Sequence, residues 1–250
     1  MLQSKDINKI AELKNGFTPR WLEPDFILSS LTCFSFSAVC KHLNPFKQRG
    51  YSFESVFSCL ISLPFLGVPS VHSFTSSALS THIQAKKDVF YRLKNNSGIC
   101  WRNILWMFGM KFIKLAGTHG EESDSPKCLV LDDSDLLKTG RYIEKVSRIY
   151  DHVSKRFIIG YKLLAMGYWD SASFIPLDFS LHRERGKNAD NPFGLKKKEY
   201  RKQYRKKREK GTHSWDRSRE ADTTKIESVL RMFWRAISQG VKVDYLLMDS

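Results

Sequence analysis

The chain has no apolar run of the roughly 18 uncharged residues that a membrane span requires. The longest candidate, residues 53–66, contains Glu54 and Pro64 and reads as a buried helix. The opening stretch MLQSKDINKIAELKNG is charged and lacks the apolar core of a signal peptide, so a cytoplasmic protein without membrane association is expected. Five cysteines (Cys33, Cys40, Cys59, Cys100 and Cys128) are odd in number and widely spaced. That excludes a simple disulfide framework and the paired C-x-x-C spacing of a zinc site. Cys33, Cys40 and His42 read as core residues beside a histidine rather than as ligands. No internal repeat and no Ser-His-Asp or Cys-His spacing stands out. Acidic residues are in short supply, 26 Asp plus Glu against 41 Lys plus Arg, for a net charge of +15 over 250 residues. At 42% hydrophobic and 13% aromatic, the chain has ample material for a core.

The charge is unevenly placed. Residues 1–117 carry 14 basic and 6 acidic side chains, 118–183 carry 9 and 10, 184–220 carry 14 and 6, and 221–250 carry 4 and 4. Two basic blocks flank a nearly neutral segment. A polyanion is the simplest partner, because each cation set against a phosphate releases condensed counterions. The densest tract, KKKEYRKQYRKKREK at 196–210, holds ten basic and two acidic residues. Its Lys196, Lys197, Lys198, Arg201, Lys202, Arg205, Lys206, Lys207 and Arg208 are candidate phosphate contacts. If the tract is helical, Tyr200 and Tyr204 share one face. The plainer alternative is a solvated, self-repelling insertion at about 184–220.

Residues 1–117 read as a helical, DNA-binding domain. The segment 52–63 is an apolar helix with cap chemistry at Ser52 and Ser55, and 101–115 is an amphipathic helix. The polar stretch GTHGEESDSP at 117–126 marks a domain boundary. Beyond it the pattern is that of strands. CLVL at 128–131 is a short buried strand, and 157–166 with 173–181 form an antiparallel hairpin across GYWDS. Residues 223–238 form a helix capped by Thr223 or Thr224, with Ile226, Val229, Leu230, Phe233 and Ile237 as its apolar stripe. VDYLLM at 243–248 is another buried strand.

The sharpest feature is LVLDDS at 129–134 together with YLLMDS at 245–250. Each is an apolar strand ending in carboxylate. Such placement is costly unless the acids reach a cleft or a cation, and sites of open α/β sheets gather at strand ends. Neighbouring strands would bring Asp133 and Asp249 together, and oxygen donors favour Mg²⁺ or Mn²⁺. Alternation sends Asp132 and Asp133 to opposite faces. The bland alternative makes each Asp a loop cap.

These residues carry a resemblance. The segment LVLDDSDLLKTGRYIEKVSRIYDHVSKRFIIGYKLLAMGYWDSASFIPLDFSLHRERGKN with VDYLLMDS, and upstream KDVFYRLKNNSGICWRNIL, resembles bacterial insertion-sequence transposases of the DDE class over roughly residues 45–250. The resemblance implies an RNase H-like mixed sheet after the helical domain, with residues 118–250 as part of a catalytic domain. It implies metal-dependent strand cleavage and transfer on double-stranded DNA, both element ends and target. In the family pattern an Asp followed by Ser or Thr is catalytic, which favours Asp133 over Asp132, and Asp249 matches the second acid. A homodimer on DNA is compatible with this role. The family's third acid, a Glu on a later helix, has no counterpart before Ser250. The expectation is therefore a C-terminally truncated, inactive transposase. The alternatives are a non-catalytic basic DNA-binding protein and an unrelated nucleic-acid-binding protein.

Overall fold

The computed structural model describes residues 34–43, 49–77, 80, 83–119 and 125–248. The chain divides into two compact units, Met1–Asn96 and Ser97–Ser250. The described part of the first is helical. Helices α1 (Phe36–Leu43), α2 (Phe53–Phe65), α3 (Val71–Thr75) and α4 (Lys87–Lys94) enclose a core rich in phenylalanine. Phe36 stacks on Phe57 at 5.7 Å, and Phe74 meets Phe90 edge-on at 5.7 Å. Ser52 caps α2 as expected, accepting from the Ser55 amide at 3.0 Å, but Pro64 lies within the last turn rather than ending the helix before it. Burial and the neighbouring Glu54 push the Cys40 thiol up to about 12, so it sits in the core as an unreactive thiol.

The second unit is mixed α/β. Helix α5 (Trp101–His119) belongs to it, so the boundary between units falls at Asn96/Ser97 and not in the expected stretch at 117–126. The strands are β1 (Cys128–Leu137), β2 (Ser147–Asp151), β3 (Arg156–Trp169), β4 (Phe174–His182) and β5 (Tyr245–Met248). The long β3 is central. One of its edges carries β1, antiparallel from Cys128↔Trp169 to Leu137↔Gly160. The other edge carries β2 and β4 in succession, both antiparallel. The β3–β4 hairpin is as expected, its turn closed by the Asp170 side chain on the Ser173 amide at 2.7 Å. Strand β5 adds to the far edge of β1 in parallel, from Cys128↔Tyr245 to Leu131↔Met248. A parallel neighbour needs a crossover, supplied here by helices α6 (Lys197–Arg201), α7 (His213–Glu220) and α8 (Lys225–Ser238).

Alternation along β3 sorts the core into two faces. Leu164, Met166 and Tyr168 join Leu129 and Leu131 beneath α5 and α8. Tyr161 and Ile159 point the other way, to Leu136, Val146, Leu195 and Tyr200. A Cβ on Gly109 of α5 would meet Leu177 at 2.6 Å, so glycine lets this helix ride close on β4.

Two burial expectations are corrected. On α8, capped by Thr224 as expected, the fully buried residues are Ser228, Met232 and Ala236. Of the expected stripe, Val229 and Phe233 pack partly buried against the core, whereas Ile226, Leu230 and Ile237 are exposed, as is Trp234, Ile226 to 75% and Trp234 to 66%. Strand β5 is exposed along all four residues. Among the described residues no helix is long and apolar enough to cross a membrane.

Candidate functional site

Strand β1 does not end at the aspartates. It continues to Leu137, held by its ladder with β3, so Asp132 and Asp133 lie within the strand. Its pairing with β5 runs as far as Leu131↔Met248 within the described residues, and the two acids follow next along β1. Asp133 lies opposite Leu164, on the face covered by helices, while Asp132 lies opposite Ala165 on the other. Alternation thus separates the two carboxylates as expected. The Asp132 carboxylate turns back to accept from the Asp133 amide at 2.7 Å. The Asp133 carboxylate forms an ion pair with Lys225, the first residue of α8. Asp249 lies outside the described residues.

Lys225 was not foreseen, and neither was the next acid on that face. Asp135 pairs with Lys162 at 2.5 Å, and this buried ammonium also donates to the Tyr150 carbonyl at 3.1 Å. Further along, Asp178 is fully buried on β4 between two guanidinium groups, Arg102 and Arg235, each with Nε at 2.7 Å from its carboxylate. Arg102 also grips Glu220, with both Glu220 oxygens at 2.8 Å, and Arg217 reaches the same acid at 2.8 Å. Burial, with the Arg102 cation next, holds Arg217 below its ordinary value. The one signal of this network was an acid, Asp178, inside the apolar strand FIPLDFSL.

The basic tract is an ordered strap over the opposite face of the sheet. Its helix, α6, is only five residues long, so Tyr200 and Tyr204 do not share a helical face. Tyr200 packs on Phe193 at 5.5 Å, while Tyr204 is exposed. Buried Leu195 and Gln203 pin the strap, Gln203 donating to the Val146 carbonyl at 2.7 Å. Arg208 is committed to Glu144 through two bonds of 2.6 and 2.7 Å, which hold the Glu144 carboxyl below its ordinary value. Lys206 is partly buried, its amide donating to Glu144 at 3.1 Å. Lys196, Lys197, Lys198, Arg201, Lys202, Arg205 and Lys207 are exposed, with Lys197 paired to Asp190 at 2.8 Å. His182 and Arg183 do not belong to an open basic surface. His182 is buried between the Ser180 hydroxyl at 2.7 Å and the Thr223 carbonyl at 3.2 Å, and Arg183 pairs with Asp222.

No family model, curated protein or solved structure matches this chain. Among the described residues no cluster of three or more His, Cys, Asp or Glu is placed to hold a metal. Asp133 offers a partly exposed carboxylate, which the Lys225 ammonium occupies in this structure.

Proposed function

We propose that this chain acts on DNA as the nuclease-fold portion of an insertion-sequence transposase, gripping duplex through its basic strap and presenting Asp133 and Asp249 to the scissile phosphate. One observation carries the reading. The parallel β1–β5 pair runs toward a common end, where β1 presents Asp132 and Asp133 and where Asp249 follows Met248 in the chain. The strand directions, antiparallel for β4, β3 and β1 and parallel for β5, agree with the RNase H-like expectation. Asp133 with Asp249 would hold Mg²⁺ or Mn²⁺, whose chemistry is to activate the attacking oxygen and stabilise the leaving one. Asp132, facing the other way, supports the strand and not the ion.

Lys225 favours a second reading. Its ammonium competes with a divalent cation for Asp133, as it would in a DNA-binding protein without catalysis. Two measurements test the pair of readings. Duplex affinity should fall about a thousandfold or more between roughly 50 and 200 mM salt if six or more phosphates are neutralised. Mn²⁺ titrated into the chain, read by water-proton relaxation, should bind at a site lost on Asp133→Asn. Salt-dependent duplex binding with Mn²⁺ binding unaffected by Asp133→Asn would select the non-catalytic reading. Duplex binding that is flat with salt would remove both.

A further inference from the structure

A cavity lies away from Asp132 and Asp133. It opens at the β2–β3 end of the sheet, on the face under the basic strap, with a volume of about 620 Å³. That is within the range of about 300–1,000 Å³ typical of small-molecule sites. Ile159, which lines it, is five residues along β3 from Leu164, the partner of Asp133. At about 3.3 Å per residue this places the cavity roughly 16 Å from Asp133 along the strand, on the opposite face. It is a separate site.

Its chemistry is divided. The floor is apolar and aromatic, made by Phe157, Ile159 and Leu195. Phe157 is 57% exposed although it sits inside the cavity, and the Arg148 guanidinium lies over its ring at 5.1 Å. The rim is basic. Arg148 and Lys187 form no ion pair among the described residues, whereas Glu199 is shared by Arg141, at 2.6 Å, and by Lys196, whose amide donates to it at 3.2 Å and whose charge helps hold its carboxyl below the ordinary value. The rim acid that remains, Glu184, accepts from the Tyr150 amide at 3.4 Å. Four bases against two acids leave the cavity positive. Backbone geometry keeps it open. Gly194 holds φ +69, and a Cβ there would strike the Arg148 Cβ at 2.6 Å, so only glycine lets the strap seat Arg148 beside the floor. Asn191, which makes no capping bond, adds an amide able both to donate and to accept.

We propose that this cavity binds one unstacked nucleotide of a single DNA strand, its base against Phe157 and the aliphatic floor, its phosphate on Arg148, Lys187 and Lys196. A bare phosphate would leave the floor wet. An apolar ligand would leave the rim cations unanswered. A base held within a duplex stack is not free to lie on Phe157, whereas an unpaired base stacks on aromatic surface without regard to sequence. The inference rests on the DNA-handling reading in its choice of nucleic acid as ligand, and it adds a single-strand site to the duplex-binding strap.

The test uses the full chain and a short oligothymidylate carrying 5-iodouracil. Photocrosslinking should attach the base to the Arg156–Ile159 stretch of β3, and mass spectrometry should locate it there. Affinity for the oligothymidylate should drop about tenfold in Phe157→Leu and again in Lys187→Ala combined with Asn191→Ala. These are exposed or half-exposed positions whose replacement leaves the core intact, and duplex affinity should change by about twofold or less. Crosslinks confined to residues 201–210, or inorganic phosphate competing as well as thymidine monophosphate, would overturn the proposal. If duplex binding persists while the cavity stays unlabelled, this inference alone fails. If the cavity is labelled while duplex binding is absent, the proposed function fails and the single-strand site stands.

Discussion

The buried acid Asp178 gives the sharpest quantitative prediction. Its side chain is inaccessible to solvent and lies at 2.7 Å from both Arg102 and Arg235. Replacing it by alanine leaves Arg102, buried, with Glu220 as its remaining acid, one it shares with Arg217, and takes from Arg235, partly buried, the acid it pairs with. Stranding a buried cation costs about 3–5 kcal/mol, because desolvation is no longer offset by a counter-charge. A unit of the size of Ser97–Ser250 shifts its melting midpoint by about 2–4 °C per kcal/mol. Asp178→Ala should therefore melt roughly 6–20 °C below the parent in scanning calorimetry. Glu227→Ala is the control. Its partner Arg231, at 2.5 Å, is half exposed like itself, and an exposed i,i+4 pair contributes about 0.3–0.5 kcal/mol. A midpoint for Asp178→Ala within about 2 °C of the parent, or equal effects of the two substitutions, would refute the reasoning.

Two further outcomes follow from the same unit. Burial holds the His182 imidazole below its ordinary value of 6.5, so the unfolded chain takes up a proton more readily than the folded one. The stabilisation is complete above 6.5 and is lost as pH falls; melting midpoints should decline from about pH 7 to about pH 5, and His182→Gln should flatten that decline. Gly160 sits where a Cβ would strike the Leu136 carbonyl oxygen at 2.5 Å, so Gly160→Ala should lower stability by about 1–3 kcal/mol in urea unfolding, and an unchanged midpoint would show that the β1–β3 ladder yields there.

How far the residues foretold this arrangement varies by element. The β3–β4 hairpin was legible because both strands are long apolar runs flanking a polar turn. The caps at Ser52 and Thr224 were legible because a hydroxyl before an apolar helix has one geometric use. The length of β1 was not. Its apolar run stops at Leu131, yet alternating Asp133 and Asp135 extend it, held by pairing with residues some thirty positions away. On α8, periodicity marks an apolar stripe but says nothing of what covers it, and it is the small residues Ser228 and Ala236 that approach the sheet. The Arg102–Asp178–Glu220 network joins side chains 76 and 118 positions apart, beyond any local pattern. The same holds for the cavity, whose lining is drawn from β2, β3 and the strap.

The uncovered stripe on α8, facing water beside a chain of net charge +15, sets two solution demands against each other. Mutual repulsion keeps copies apart in dilute electrolyte, where any polyanion carried along from the cell also clings most tightly. Raising ionic strength strips that cargo, yet it shortens the reach of the repulsion to a few ångströms and lets greasy helices meet. Clean preparations and clumped ones should therefore be found at the same salt.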